Sequence, residues 1–433
     1  MPVFSLDPVQ TDWCAELRSL ALRQLRPIAE KGEPGRLNRP LIAALGELGL
    51  LKRLFGSGAL DLCLLRESLA HGCTEAETAL ALQGLGACPV VQAGTARQRG
   101  RWLPEVSAGR AVAAFALSEP GAGSDAAALA LRAVPYGGDS AGRGTGGSSS
   151  GGSSSGGGSG SGGGSGSGGG SGSGGGSGSG GGSGSGGGSG SGADGGSGGG
   201  ADGWRLSGEK RWISNAPEAD FYTVFARTGE DAGPRGITAF LVPADRPGLT
   251  GSPIEMLSPH PIGSLVFDGV PVTRDDVLGE VGGGFRVAMN TLNLFRPSVG
   301  AFAVGMARAA LDATLAHTAG RTAFGGPLKD LQSVAHQVAE MATRTEAARL
   351  LVYAAASAYD AGGADVPRRS AMAKLFATET AQYVVDAAVQ LHGARALQRG
   401  HLLEHLYREV RAPRIYEGAT EVQRTIIAKE LYA

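Results

Sequence analysis

The sequence predicts an α+β chain of three successive regions: helices, then an antiparallel sheet or small barrel, then a helical bundle. Three observations lead there. Before Arg110, apolar residues recur at three- and four-residue spacings, as on one face of a helix. Between Ala111 and about Val277, short runs such as "RAVAAFALS", "FYTVFART", "GITAFLVP" and "SLVFDGVPV" are separated by Gly, Pro, Asp and Asn, the punctuation of strands. From Gly284 onward, Ala- and Leu-rich stretches are apolar on several faces, which suits helices packed on one another. The boundaries drawn from these textures are 1–112, 113–277 and 278–433.

Taken in order, "WCAELRSLALRQLRPIAEKG", "RPLIAALGELGLLKRLFG", "LDLCLLRESLAHGC" and "ARQRGRWLPEVSAG" supply the first helices. The sheet region is interrupted at about 137–203 by a tract of nearly pure Gly and Ser, which explains the excess in the 75 glycines. Such a tract has no side chains to bury and cannot offset its ordering entropy, so a flexible coil is expected. Its flanks decide what it joins. "ALALRAVPY" before it alternates apolar residues at Leu129, Leu131 and Ala133, and "WRLSGEKRWISN" after it is also strand-like. Two strands about a polar turn make a hairpin, so the tract reads as an expanded hairpin loop within one domain rather than a linker between two. The last region carries "FRVAMNTLNLFRPSVGAFAVGMARAALDATLAHTAG", "QSVAHQVAEMATRTEAARLLVYAAASAYDAG" and "RRSAMAKLFATETAQYVVDAAVQLHG".

Composition narrows the function. Lys and Arg number 39 against 40 Asp and Glu, a net charge of -1, so no electrostatic footprint for nucleic acid is present. Cys14, Cys63, Cys73 and Cys88 form no CxxC pair, so no zinc or redox motif follows; reduced, partly buried thiols in a cytoplasmic protein are expected. Asp7 and Asp12 interrupt the N-terminal stretch, which has no signal-peptide core. No uninterrupted apolar run approaches the roughly 18 residues of a membrane span.

The most distinctive motif is "FALSEPGAGSD", Phe115–Asp125, a strand running into a Gly-x-Gly turn whose backbone can approach a ligand closely. It is similar to the signature of the acyl-CoA dehydrogenase family. "GTARQRGRWLPEVSAGRAVAAFALSEP", "GEKRWISNAPEADFYTVFART", "GITAFLVPADRPGL", "GRTAFGGPLKDLQ" and "LYREVRAPRIYEGATEVQR" agree in the same order, from about residue 20 to the C-terminus. The resemblance implies an N-terminal helical domain, a middle antiparallel β-barrel and a C-terminal four-helix bundle. It also implies FAD, an acyl-CoA substrate, a homodimer or homotetramer, and an electron-transfer flavoprotein as oxidant.

Carried over residue by residue, the resemblance sets Phe115, Leu117 and Ser118 at the flavin, Trp212 on its ring and Ser214 near its N5 atom. Taken alone, Trp212 would read equally as β-core packing. Arg321, Phe324 and Gln332 would hold the pyrophosphate and adenosine across a subunit interface, although an arginine alone more often makes a surface ion pair. Gln390 and Gly393 match the family's glycine-rich turn, but "QLHGARA" replaces later glycines by Ala394 and Ala396, and a Cβ there is expected to hinder backbone approach. Ser124 would lie near the acyl-CoA, with Tyr416 and Gly418. His260, in the divergent "SPHPIGS", reads as a loop histidine.

The remaining question is the base. "TEVQ" from Thr420 fits a capping box with Thr420 at the N-cap and Gln423 at N3, which leaves Glu417 in the preceding loop beside the permissive Gly418. In the family the glutamate of this "YEG" motif is the base, its pKa raised by desolvation. A few members carry the base on a bundle helix instead; the matching residue here is Phe295, which cannot serve. Arg296 matches a family arginine that orients the glutamate. The resemblance therefore implies α,β-dehydrogenation of an acyl-CoA to a trans-2-enoyl-CoA, with Glu417 taking the α-proton. An acyl-CoA oxidase, an enzyme acting on carrier-protein thioesters, and a non-catalytic flavin-binding paralogue stay open at this point.

Overall fold

The computed structural model describes residues 6–136, 203–230 and 233–433. Helix α1 (Pro8–Leu20) starts in a capping box: the Gln10 amide N–H donates to Asp7 Oδ1 at 2.7 Å, and the Asp7 N–H donates to Gln10 Oε1 at 3.1 Å. A π-helical stretch, Ala21–Leu25, leads into α2 (Arg26–Ala29). The expected second run, "RPLIAALGELGLLKRLFG", is broken into α3 (Arg39–Glu47) and α4 (Leu50–Gly56), because Gly49 takes a φ of 70° between them. Then come α5 (Ala59–Gly72), α6 (Thr74–Ala93) and α7 (Ala96–Ser107), the last capped by Thr95 and Gln98.

The strands are β1 (Ala113–Ala116), β2 (Arg132–Tyr136), β3 (Gly203–Ser214), β4 (Phe221–Arg227), β5 (Ile237–Pro243), β6 (Leu249–Pro253), β7 (Ile262–Thr273) and β8 (Val277–Leu278). They form one eight-stranded sheet ordered β6-β7-β3-β2-β4-β5-β8, with β1 beside β4. The antiparallel barrel expected above differs in two respects. The described pairing runs from β6 to β8 as an open path, and β1 and β2 both run parallel to β4, Ala113 opposite Phe221 and Arg132 opposite Arg227. Strand patterning fixes which residues are extended but not which neighbour they pair with, so the parallel edge had no local signal.

The hairpin reading falls partly on described residues. β2 and β3 pair antiparallel, Tyr136 opposite Gly203; Ala133 and, just before the strand, Leu131 are buried in one core, and Leu129 in another. The tract itself lies outside the described residues. Since the strands it joins are already neighbours, replacing 142–200 by a short turn should leave activity intact and stability no lower, loop closure costing about 0.6 kcal/mol per doubling of length. Thermal melts and turnover of the trimmed protein check this; a large activity loss would mean the tract has a task of its own.

After the sheet come α8 (Gly284–Gly320), a short two-stranded ribbon β9 (Thr322–Ala323) and β10 (Gly326–Pro327), then α9 (Gln332–Asp360), α10 (Val366–His392), α11 (Leu402–Glu409) and α12 (Thr420–Leu431). α8 packs against α5, α9 and α10. Gly305 makes that possible on the α5 side, since a Cβ there would collide with the Glu67 carbonyl. Among described helices, α8 alone is long and apolar enough to cross a membrane by length and composition; 67% of that window is buried within the protein, as in a core helix. All four cysteines are free and fully buried rather than partly so. The helices α5 and α6 thus lie between the sheet and the last helices, sharing cores with both.

Candidate active site

The "FALSEPGAGSD" turn is held from below by a buried ion pair. Lys210 Nζ, on β3, donates to the Leu117 carbonyl at 2.9 Å and to Glu119 Oε1 at 2.8 Å. Glu119 in turn accepts from the backbone N–H of Ala130 and Leu131, so all of its charge is spent on the fold. This leaves Gly121, Gly123 and Ser124 exposed, with open space where glycine Cβ atoms would stand. Ser118 is partly open. Phe115 instead packs its ring on Phe225, centroids 4.9 Å apart, and Leu117 is buried in the same core.

Trp212 lies beside this turn, because the Arg211 N–H donates to the Ser118 carbonyl at 3.0 Å. A register shift in the β3–β7 ladder between Lys210 and Ile213 gives Trp212 a φ of 58° and leaves it 46% exposed. A left-handed backbone under a bulky residue costs about 1–3 kcal/mol, and here it presents an indole face to the outside. Ser214, at the end of β3, is partly exposed. A hydroxyl pair, an open aromatic face and an unobstructed glycine turn suit a flat, polar-edged heteroaromatic ring such as a flavin.

Glu417 sits before α12 with a φ of 52°, and Gly418 follows with a φ of 95°. The capping box expected at Thr420 is not formed. α12 begins at Thr420 with Ala419 as N-cap and no side-chain cap. The Thr420 hydroxyl donates instead to Glu379 Oε1 at 2.8 Å. The Gln423 amide donates to the carbonyls of Gly418 at 2.9 Å and Glu417 at 3.4 Å. Lys374 Nζ, from α10, donates to the Gly418 carbonyl at 2.7 Å, and Arg296 Nε, from α8, reaches the Glu417 carbonyl at 3.5 Å. The loop backbone is therefore clamped by three side chains, two of them cationic. Arg296 contacts the Glu417 main chain rather than its carboxylate and also donates to Asn293 Oδ1 at 3.0 Å.

The Glu417 carboxylate itself is left free. Its Oε2 is buried without a hydrogen-bond partner among the described residues. Burial raises its pKa above the ordinary glutamate value, against the pull of Arg66, Lys374 and Arg296. Lys374 is pushed down to about 8 by burial, with Glu417 opposing. Tyr416 is raised well above its usual range by burial. Phe295 is buried, packed with Leu62 and Cys88.

Several charged residues here carried no sequence signal. Arg66 on α5 and Glu77 on α6 form a buried ion pair close to Glu417. His260 is not an idle loop histidine: its Nε2 is 2.6 Å from Glu409 Oε2, and although burial would lower its pKa, Glu409 holds it up.

The residues assigned to the cofactor's far end lie at helix termini. Arg321 follows α8, Gln332 opens α9, and Gln390 and Gly393 close α10; all are exposed. Phe324 is 93% exposed at a φ of 53°. Arg321 and Arg395 both act on His317, whose ring stacks on His392 at 4.1 Å, so these helix ends lie near one another. Of the two alanines of "GARA", Ala396 is fully buried in the helical core, whereas Ala394 and Arg395 are exposed.

Comparison with known proteins agrees along the chain. The acyl-CoA dehydrogenase N-terminal, middle and C-terminal domain profiles match residues 7–110, 182–270 and 282–432. The short-chain specific acyl-CoA dehydrogenase of Bos taurus mitochondria is 32% identical over 426 residues, 96% of this chain and 88% of that protein. The "Probable acyl-CoA dehydrogenase fadE25" of Mycobacterium tuberculosis is 31% identical over 440 residues, 99% of this chain and 97% of that protein. Among solved structures, butyryl-CoA dehydrogenase from Megasphaera elsdenii superposes with a TM-score of 0.79 at 28% identity, covering 99% of this chain and 100% of that one. A glutaryl-CoA dehydrogenase in complex with glutaryl-CoA gives 0.79 at 26% identity, covering 99% and 96%.

Proposed function

The chain belongs to the acyl-CoA dehydrogenase family, and from that premise we propose that Glu417 is the base of an FAD-dependent α,β-dehydrogenation of an acyl-CoA thioester. The observation that carries this reading is the free, buried Oε2 of Glu417 on a clamped, left-handed backbone. An unpaired buried acid is costly, and a raised pKa makes it a stronger proton acceptor once ionised. Glu417 takes the α-proton, the α- and β-carbons become doubly bonded, and the product is a trans-2-enoyl thioester. FAD, when bound, supplies the acceptor for the hydride that leaves the β-carbon. Ser118, Trp212 and Ser214 would hold its ring, while Ser124, Tyr416 and Gly418 would line the thioester path. Lys374, Gln423 and Arg296 keep the loop from relaxing, and Arg296 acts as a positioning residue.

The exposed set Arg321, Phe324, Gln332, Gln390 and Gly393 fits the far end of a cofactor bound by a second copy, so we propose a homodimer or homotetramer. Sedimentation of Arg321→Ala beside wild type would test this through FAD content. We further propose an electron-transfer flavoprotein as oxidant and a cytoplasmic setting, the latter supported by four unpaired buried thiols.

The pH dependence tests the base directly. Glu417 must be ionised to accept a proton, and its pKa is raised, so the reductive rate should fall as pH drops through a midpoint above the ordinary glutamate value. Lys374 is one of the charges that lower that pKa. Lys374→Met should therefore move the midpoint further up and slow the reaction at neutral pH. An unchanged midpoint would detach Lys374 from the base.

A further inference from the structure

The buried Arg66–Glu77 ion pair near the base takes no part in the proton or hydride transfer. We propose that it forms a polar acyl subsite, and that the substrate is a short thioester whose acyl group carries an oxygen substituent, hydroxyl or carboxylate, held by Arg66. This rests on Glu417 being the base.

The placement comes from three elements. Arg66, 3% exposed on α5, is ion-paired through Nε with Glu77, 0% exposed on α6. Its Nη1 donates to Ser298 Oγ on α8 at 2.6 Å, and that hydroxyl donates to the Phe295 carbonyl at 2.7 Å. Ser298 stands two residues beyond Arg296, whose guanidinium reaches the Glu417 carbonyl. Arg66 is thus fastened to the turn of α8 that frames the base. Of the cations acting on the Glu417 carboxylate, Arg66 acts most strongly, and it also acts on Tyr416. The carboxylate of Glu417 therefore lies within electrostatic reach of the ion pair.

The neighbouring apolar space is already filled. Phe295 packs with Leu62 and Cys88, and a Cβ at Gly84 of α6 would stand 2.8 Å from Phe295 Cζ. The ring reaches the α6 backbone and closes that route to a long alkyl chain. An ion pair taken out of water is an inefficient way to fill a core, since apolar side chains of similar volume commonly do as well or better. Arginine has five N–H donors, and the contacts to Glu77 and Ser298 occupy two of them. In this proposal the remaining donors meet the acyl oxygen, with Glu77 keeping the guanidinium oriented.

The test uses the full-length FAD-loaded protein. Anaerobic flavin bleaching is followed with 4-hydroxybutyryl-CoA, glutaryl-CoA, butyryl-CoA and octanoyl-CoA. The proposal predicts that one of the first two exceeds butyryl-CoA in kcat/KM by at least about tenfold, with octanoyl-CoA the slowest; which of the two leads identifies hydroxyl or carboxylate. In the double variant Arg66→Met, Glu77→Met, the ratio of the preferred polar thioester to butyryl-CoA should fall by about a hundredfold. Butyryl-CoA or octanoyl-CoA matching the polar thioesters in the wild type overturns the subsite and leaves the dehydrogenase reading standing. A double variant that slows every thioester by the same factor also overturns it, because the pair would then act on the base alone. Bleaching by none of the four overturns the dehydrogenase reading and the subsite with it. The wild-type comparison decides the matter even if the double variant fails to fold.

Discussion

Glu417→Gln will keep its FAD, and so its yellow colour, yet its anaerobic reduction by an acyl thioester will slow by roughly 10⁴-fold, the upper range for loss of a positioned general base. The substitution is nearly isosteric, and the Glu417 Oε2 has no hydrogen-bond partner among the described residues to lose, so the fold has little reason to respond. Burial, which raises the glutamate's pKa, disfavours its charge, so removing that charge should leave the protein as stable or slightly more stable near neutral pH. Sign and cause agree: a buried acid with a raised pKa destabilises the fold as pH rises through that pKa, and an uncharged glutamine does not. Stopped-flow bleaching with a thermal melt checks both halves. A reduction rate near wild type would remove Glu417 from the role of base.

Gly418→Ala should be the next most damaging single change. Gly418 has a φ of 95°, which an L side chain rarely adopts, and a Cβ there would collide with Gln423 Nε2. Gln423 could swing away, but it would give up its hydrogen bonds to the Glu417 and Gly418 carbonyls. The loop would then relax around a glutamate that is itself in the left-handed region. A displacement of about 1 Å at the reacting centre costs on the order of 10²-fold, and the left-handed strain adds about 1–2 kcal/mol of destabilisation. The expected result is retained FAD, a lower melting temperature and reduction slowed about a hundredfold. Rates within twofold of wild type would show that the Gly418 backbone does not aim the base.

Much of this site could be read before any coordinates, for reasons that differ by residue. The hairpin across the Gly/Ser tract was legible because Leu131 and Ala133 alternate into one core, and one-sided burial fixes such a register strongly. Glu417 was named through the family resemblance of its "YEG" motif, and the loop around it does use the freedom of the adjoining glycine. The start of α12 was misread because a distant residue, Glu379, captures the Thr420 hydroxyl that local logic reserves for the cap. α6 carries no polar face; it is buried on nearly all sides and contains Gly84, Gly86 and Pro89, so periodicity had nothing to grip. Arg66 and Glu77 were invisible for a related reason. A charge within a helix ordinarily marks its solvated face, and only the burial of α5 and α6 between the sheet and α8 turns these two inward. Likewise His260 gains its partner from α11, 149 residues away.

The measurement that bears most directly on the central claim is a single anaerobic turnover with a thioester deuterated at the α-carbon, run on wild type and on Glu417→Gln in parallel. For wild type we predict one trans-2-enoyl thioester per flavin bleached, the α-deuteron recovered in water and a primary isotope effect on bleaching. For Glu417→Gln we predict neither product nor deuterium release on the same timescale. Equal product yield and deuterium release from the two proteins, or a wild-type protein that takes up no FAD, would contradict the account.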